Sequence, residues 1–168
     1  TSEVGIVDYT VKAEAAALDY EDPGVVSQID HTYYLIGGDA EARLAGPAKL
    51  GLAYDYSVRD YDERPARDLQ GNFAAPMVPL TYAYHTFDAS LRARPAKDLA
   101  VTIEYELTIR SDGYVGYNDY TQDKYRLRAV AGGRGRGRLA AWISYADRDY
   151  PHAFAFDNAL QPRKTLQT

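Results

Sequence analysis

Residues 99–110 read LAVTIEYELTIR, and apolar side chains occupy every second position of this stretch. Apart from Ala100, the intervening positions carry Thr, Glu or Arg, and neither glycine nor proline interrupts the run. A helix would scatter these apolar residues around its circumference, whereas a strand places them all on one side. The stretch therefore predicts a β-strand with one apolar face and one charged face.

The same alternation recurs along the chain and predicts seven strands. A β-bulge near His85 would reconcile Tyr82 and Tyr84 with the opposite parity of the apolar residues that follow them. The alternation fades after Pro151, where His152, Phe154 and Phe156 are the only sign of an eighth strand, and residues 151–168 are expected to be irregular. The predicted strands cover residues 6–18, 32–45, 49–61, 80–94, 99–110, about 121–131 and 139–150.

The connections alternate between long and short. Residues 19–30, 62–79 and 111–120 form long polar connections, and tight turns rich in glycine, proline or charge separate the other strand pairs. This order predicts an antiparallel up-and-down sheet with every long loop at one end and every tight turn at the other. Residues 1–168 are expected to form a single β-barrel domain or a segment of a larger barrel.

Composition narrows the function classes. The chain carries a net charge of −5, which gives no reason to expect nucleic acid as a partner. Cysteine is absent, which excludes disulfides, zinc–thiolate sites and iron–sulfur clusters. Tyrosine is abundant, with 16 residues against four phenylalanines, and its ring and hydroxyl suit the boundary between apolar and aqueous zones.

Three features favour lipid as the environment of the apolar face. The predicted strands are longer than the about 5–6 residues usual in soluble proteins, the loops are long at one end only, and tyrosines crowd the strand ends near the long loops. We therefore expect an all-β transmembrane barrel in a bacterial outer membrane, surrounded by outer-membrane lipid. The residues expected to face lipid are Leu99, Val101, Ile103, Leu107, Leu127 and Ile143, and those expected in an aromatic girdle are Tyr34, Tyr56, Tyr84 and Tyr145.

The charged face is then expected to line the lumen. Acids on one strand face bases on the next, so Glu104 and Glu106 should lie close to Lys124, Arg126 and Arg128. Paired charge of both signs favours a scaffold that holds a partner over a strongly ion-selective channel. The expected lumen-lining residues are Glu104, Glu106, Lys124, Arg126, Arg128, Arg138 and Arg148.

Alternation by itself leaves two other interpretations open. A self-contained barrel of eight strands with a filled interior would serve as an outer-membrane anchor or adhesin. A soluble ligand-binding β-barrel would show the same period of two with its apolar face turned inward.

Two strand ends, YSVRDYDERP at residues 56–65 and YADRDYPHAF at residues 145–154, share a tyrosine, an Arg-Asp-Tyr tip and a following proline. These strands resemble the outer-membrane barrels of porin–cytochrome conduits, the MtrB/PioB type. The resemblance implies a wide barrel that sheathes a multihaem cytochrome in electron transfer across the outer membrane. Seven or eight strands are too few for so wide a barrel, so it also implies that this chain is a segment of one.

The sequence offers no convincing catalytic or metal site. His31, His85 and His152 stand far apart without ligand-like spacing and are interpreted as exposed loop residues. A lipid-modifying hydrolase would need a serine beside His85, and Ser90 is about 17 Å away along a strand. Residues 132–137 (GGRGRG) are interpreted as a turn with hydrated arginines, and no haem-attachment motif is present. We therefore expect no enzyme activity and no bound cofactor.

Overall fold

The computed structural model describes residues 7–18, 30–44, 46–132, 137–152, 155–156 and 162–163. These residues form nine strands. Two strands of two residues, β8 (Ala155–Phe156) and β9 (Pro162–Arg163), pair with each other. The seven long strands are β1 (Val7–Leu18), β2 (His31–Arg43), β3 (Lys49–Pro65), β4 (Pro79–Ala96), β5 (Leu99–Asp112), β6 (Tyr120–Ala131) and β7 (Leu139–Asp149).

The long strands form one sheet in the order of the sequence, β1 to β7, and every neighbouring pair is antiparallel. The predicted all-β, antiparallel, up-and-down architecture is therefore confirmed. Among the described residues β1 and β7 pair on one side only, so the sheet is open. No helix long and apolar enough to span a membrane occurs in the described part of the chain.

The turns and loops segregate to opposite ends, as expected. At the β2–β3 turn Gly46 has a φ of 72°, a left-handed conformation that favours glycine, and the Leu44 N–H donates to the Ala48 carbonyl over 2.9 Å. Lys97 and Asp98 alone connect β4 to β5. The long β3–β4 and β5–β6 connections lie at the other end. Of the first long connection only Asp30 is described, and residues 133–136 of the predicted glycine-arginine turn also lie outside the described residues.

Two predictions about the strands are wrong. No bulge occurs near His85, because the β3–β4 ladder is continuous from Asp60↔Thr81 to Lys49↔Arg92. The register shifts lie further out, between Asp60 and Pro65 and between Ala93 and Ala96. Within the described residues the predicted eighth strand does not extend the sheet, since His152 lies in a bend and β8 pairs only with β9. Phe154 lies outside the described residues.

The buried core is small and lies at the long-loop end. Leu80, with 2% of its surface exposed, packs with Tyr61, Ala66 and Tyr82. Backbone bonds from Ala66 and Ala74 close the β3–β4 loop over this cluster. Elsewhere the described strands form a single layer, so neither face of the sheet is covered by another described element.

Candidate functional site

The strand register separates the sheet into two chemically different faces. One line of directly paired residues is entirely apolar and runs through Ala42, Leu50, Leu91, Ile103, Leu127 and Ile143. The next line toward the tight turns points to the opposite side and runs through Arg43, Lys49, Arg92, Thr102, Arg128 and Trp142. We call these sides the apolar face and the polar face. The same alternation continues toward the long loops.

Large apolar side chains on the apolar face are exposed. Ile103 is 54% exposed, Ile36 58% and Ile143 68%. All six residues predicted to face lipid lie on this face by register. Within the described residues no second layer of structure covers them.

A row of tyrosines crosses the apolar face on β5, β6 and β7, between its aliphatic part and the long loops. Tyr105, Tyr125 and Tyr145 are directly paired neighbours, with ring centroids 5.1 and 6.5 Å apart. Asp123 and Asp147 follow on the same face toward the long loops, and the Tyr105 hydroxyl donates to the Asp123 carboxylate over 2.6 Å. The apolar surface of β6 and β7 thus ends at a row of tyrosines with carboxylates beyond it.

Three of the four residues predicted for the girdle share this face, namely Tyr34, Tyr56 and Tyr145. Tyr84 does not. It pairs with Ser57 and Arg110 and lies on the polar face. The prediction failed because it needed a bulge in β4, whereas the strand is regular and places Tyr82 and Tyr84 among arginines.

The polar face contains ion pairs between neighbouring strands, as predicted. Glu104 is directly opposite Arg126, with the carboxylate 3.0 Å from the guanidinium. Glu106 is directly opposite Lys124 at 2.9 Å. Lys49 on β3 also pairs with Glu41 on β2, which is its diagonal rather than its direct neighbour.

One ion pair on this face bridges two strands that are not neighbours. The Lys12 Nζ on β1 lies 2.8 Å from the Asp55 Oδ1 on β3, and Gly37 on β2 lies between them. A Cβ at Gly37 would lie 1.9 Å from the Asp55 Oδ1 and 2.7 Å from the Tyr54 carbonyl oxygen. The glycine therefore provides the space in which this pair forms.

The polar face also contains a cavity with a volume of about 930 Å³. Its lining extends from Glu41 on β2 to Arg138 just before β7. Side chains from five consecutive strands, β2 to β6, contribute to this lining. The predicted lumen residues Glu104, Arg128 and Arg138 line it directly, and Glu106, Lys124 and Arg126 line a smaller hollow deeper on the same face.

Toward the long loops the polar face carries alternating arginines and tyrosines, which we call the arginine–tyrosine belt. The guanidinium carbons lie 4.3–6.0 Å from the ring centroids, within the range of cation–π attraction. The stacked groups are Arg59 between Tyr33 and Tyr84, Arg110 between Tyr82 and Tyr120, and Arg148 on Tyr120 and Tyr150. Arg148, a predicted lumen residue, lies at the β7 end of this belt.

Carboxylates fix the two long loops above the belt. Asp112 accepts hydrogen bonds from the N–H groups of Tyr114, Gly116 and Asn118, and it thereby holds the β5–β6 loop in a closed turn. The pKa of the neighbouring Asp119 is raised, first because burial disfavours its ionised form. The backbone N–H that Asp112 donates to the Asp119 carboxylate lowers this pKa, and the negative charge of Asp112 raises it.

In the β3–β4 loop Asp68 accepts the N–H groups of Gln70 and Asn72 over 3.0 and 2.9 Å. Desolvation would raise the pKa of Asp68, but these hydrogen bonds, the Asn72 side chain and the Gly71 N–H outweigh it and lower the pKa. The two loops meet, since Tyr117 packs against Gly71 and the Gly113 N–H donates to the Thr81 carbonyl over 2.8 Å. The β3–β4 and β5–β6 loops therefore contact each other at the long-loop end of the described sheet.

The histidines are not brought together. His31 begins β2 and lies against Tyr61, and His152 is exposed after β7. His85 lies within β4 on the apolar face, where its Nδ1 is 2.8 Å from the Tyr54 hydroxyl. The interpretation of His31 and His85 as exposed loop residues is therefore wrong. Ser90 points to the opposite face from His85. No group of three or more potential metal ligands occurs in the part of the chain that the structure describes.

The belt was missed by sequence reasoning, although a signal was present. In both YSVRDY and YADRDY the arginine and the final tyrosine are two residues apart and therefore share a face. Register places that shared face with the charges, and it places Tyr33, Tyr82 and Tyr120 there as well. No protein-family model, curated protein or solved structure matches the chain.

Proposed function

We propose that the chain forms the wall, or part of the wall, of a transmembrane β-barrel in a bacterial outer membrane. Its apolar face contacts lipid, and its polar face lines an aqueous lumen. The barrel is non-enzymatic and acts as a sheath or pore that scaffolds a partner. The partner that the resemblance to MtrB/PioB barrels implies is a multihaem cytochrome supplied by another chain.

The exposed apolar face is the observation that carries this proposal. Burying one large aliphatic or aromatic side chain contributes about 1.5–3 kcal/mol, and this face exposes many of them, among them Leu52, Phe87, Ile103, Leu127 and Ile143. Exposed apolar areas of this extent mark surfaces that are covered by a partner or by a membrane. In outer-membrane barrels every second residue of each strand faces lipid, so lipid would cover the whole apolar face.

The length of the strands supports the same environment. A tilted strand crosses a membrane in about 9–11 residues, and β3, β4 and β5 have 17, 18 and 14. The surplus lies toward the long loops, where the arginine–tyrosine belt and the packed loops would extend beyond the lipid. Short turns at one end and long loops at the other are typical of outer-membrane barrels.

The sheet edges indicate that further pairing completes the barrel. β1 and β7 are regular strands of 12 and 11 residues, each with one unpaired edge in the described residues. Unpaired backbone N–H and C=O groups are too costly to face lipid. We propose that these edges pair with each other through an additional strand or with further strands of a larger barrel. The smallest barrel that fits this proposal has eight strands, and it would serve as an anchor or adhesin.

The chemistry of the polar face favours a sheath over a selective channel. Its middle carries charges of both signs, and Lys12, Lys124 and Arg126 each contact a carboxylate there. A second candidate, a soluble ligand-binding barrel, has one observation in its favour, an open hollow of about 600 Å³ on the apolar face. That barrel would need the apolar face to enclose the ligand, but the larger cavity is on the polar face.

Replacing Ile103 by Arg tests the proposal. An arginine that faces lipid near the middle of a membrane costs about 2–4 kcal/mol, so Ile103→Arg should abolish assembly into lipid vesicles. Thr108→Arg is the matched control, because it places the same side chain on the same strand toward the polar face. The measurement is the protected fraction of the chain after protease treatment of the vesicles.

The control variant should assemble like the parent chain. If Ile103→Arg instead folds as a monodisperse protein in water without detergent, the membrane proposal is wrong and the soluble barrel gains support. Equal loss of assembly in both variants would likewise contradict the assignment of the faces.

A further inference from the structure

A row of cations crosses the polar face next to the tight turns. Arg43, Lys49, Arg92 and Arg128 occupy one line of paired residues on β2, β3, β4 and β6, and Thr102 on β5 completes it. Strands lie about 4.8 Å apart, so the row extends over roughly 19 Å. We call it the cationic row.

Three of these four cations have no partner in the part of the chain that the structure describes. Lys49 pairs with Glu41, but Arg43, Arg92 and Arg128 form no ion pair or hydrogen bond among the described residues. Like charges on directly paired positions are destabilising, and Arg43, Lys49 and Arg92 are such neighbours. This contrasts with the next lines of the same face, where Arg126 and Lys124 each have a carboxylate partner.

Lys49, Arg92 and Arg128 of the row line the large cavity, and additional cations surround it. Arg94 and Lys97 from the β4–β5 turn region and Arg138 before β7 line the same cavity, while Asp98 is the one carboxylate of that turn. The side chains of the row point away from the apolar face. Headgroups of lipid packed around the apolar face would therefore lie on the wrong side of the sheet to reach them.

Trp142 on β7 lies at the end of the cationic row and indicates which kind of anion the row binds. It is the only tryptophan of the chain, lies directly opposite Arg128 on the polar face and is 71% exposed. Tryptophan and arginine are the residues most enriched where protein interfaces concentrate their binding energy. Guanidinium groups also bind carboxylates in a bidentate manner. A small free anion would use the arginines but leave the tryptophan without a contact.

We propose that the cationic row and Trp142 bind an acidic segment of a partner protein that enters the cavity from the tight-turn end. Its carboxylates pair with Arg92 and Arg128, and an apolar side chain packs on Trp142. The proposed barrel is needed only to assign the side of entry. Outer-membrane barrels have their short turns on the periplasmic side, so the segment would enter from the periplasm. The placement of the charges follows from the register alone.

The test measures binding of a fluorescein-labelled oligoglutamate peptide to the full chain in non-ionic detergent by fluorescence anisotropy. A peptide of about 10 residues, at ~3.3 Å each, is long enough to span the row. We expect salt-sensitive binding that Arg92→Glu and Arg128→Glu each weaken by at least about tenfold. Trp142→Ala should weaken the binding of a peptide with one leucine among its glutamates more than that of pure oligoglutamate.

Arg64→Glu is the matched control, because it makes the same charge change at the exposed long-loop end. It should leave the affinity unchanged. If the Glu variants are misfolded by circular dichroism, Arg92→Lys and Arg92→Ser replace them, and the lysine variant should retain more affinity than the serine variant.

Three results would overturn the proposal: equal weakening by Arg64→Glu, binding of tripolyphosphate without binding of the peptide, or binding of anionic vesicles without binding of the peptide. The second assigns the row to a small anion and the third to lipid. A chain that assembles in vesicles but ignores the peptide refutes this inference alone. A chain that binds the peptide but fails to assemble refutes only the proposed barrel.

Discussion

The two faces of the sheet follow the same period of two but differ in where their contacts come from. On the polar face Glu104 meets Arg126, Glu106 meets Lys124 and Lys12 meets Asp55, so most charges of its middle part find partners within the sheet. On the apolar face Ile103 and Ile143 are more than half exposed. The middle of the polar face thus finds most of its partners within the sheet, whereas the apolar face has no covering layer among the described residues.

The two ends of the polar face differ in a similar way. At the long-loop end, Arg110 is stacked between tyrosines and also donates to the Asn118 carbonyl. At the tight-turn end, Arg92 and Arg128 have no partner in the described residues. Arginines that are already satisfied stabilise the fold, whereas unsatisfied arginines on the same face remain available for a partner.

The largest expected effect on stability comes from filling the space between two strands of the polar face. In Gly37→Ala the new methyl group would clash with the Asp55 carboxylate and with the Tyr54 carbonyl. We expect a loss of about 1–3 kcal/mol in the free energy of unfolding, typical of overpacking. Urea unfolding in detergent measures it.

Gly51→Ala is the control for this variant. Its Cβ would lie 2.6 Å from the Ser90 Oγ, a hydroxyl that can rotate away. A loss as large as that of Gly37→Ala would show that the Lys12–Asp55 bridge is not what Gly37 protects.

Removing an arginine of the belt should have a somewhat smaller effect. Arg110 stacks on Tyr82 and Tyr120 at 4.5 and 4.3 Å and holds the β5–β6 loop through Asn118. Arg110→Ala should therefore lower the free energy of unfolding by about 1–2 kcal/mol. Arg126→Ala, which removes only an exposed ion pair, should cost about 0.2–1 kcal/mol. Equal losses would contradict the distinction between the belt and the middle of the face.

The smallest effect concerns the β3–β4 loop and its pH dependence. The pKa of Asp68 is lowered in the folded chain, so its ionised form supports the loop above the ordinary value of 3.8. That support is lost as the pH falls through the lowered pKa. Amide exchange at Gln70 and Asn72 should accelerate there relative to the intrinsic rate, and Asp68→Asn should remove this pH dependence. An unchanged acid response in the variant would assign the effect to another group.

The sequence was informative about the strands because alternation is a local signal. Leu99–Arg110 was predicted as a strand and lies within β5, and the pairing of Glu104 and Glu106 with bases on β6 followed from the same pattern. Tyr84 was misplaced because tyrosine was treated as a marker of the apolar face. A tyrosine ring also packs favourably against a guanidinium group. Only the strand register shows whether a given tyrosine lies on the apolar face or beside an arginine.

Other features depend on contacts between distant parts of the chain. The space over Gly37 exists because β1 and β3 place Lys12 and Asp55 on either side of it. The contact of Tyr117 with Gly71 joins two separate loops. Neither has a local sequence signature, because a glycine in a strand pattern indicates a close approach but not the group that approaches.

A single-cysteine scan of β5 tests the assignment of the two faces most directly, and the absence of native cysteine makes it clean. Each residue from Val101 to Thr108 is replaced in turn, and the chain is reconstituted into lipid vesicles. Cysteines at 102, 104, 106 and 108 should react with a water-soluble maleimide. Those at 101, 103, 105 and 107 should resist it, and a fluorophore attached there before reconstitution should be quenched by brominated lipid chains. Alternation in the opposite phase, or no alternation at all, would contradict the proposal that lipid covers the apolar face.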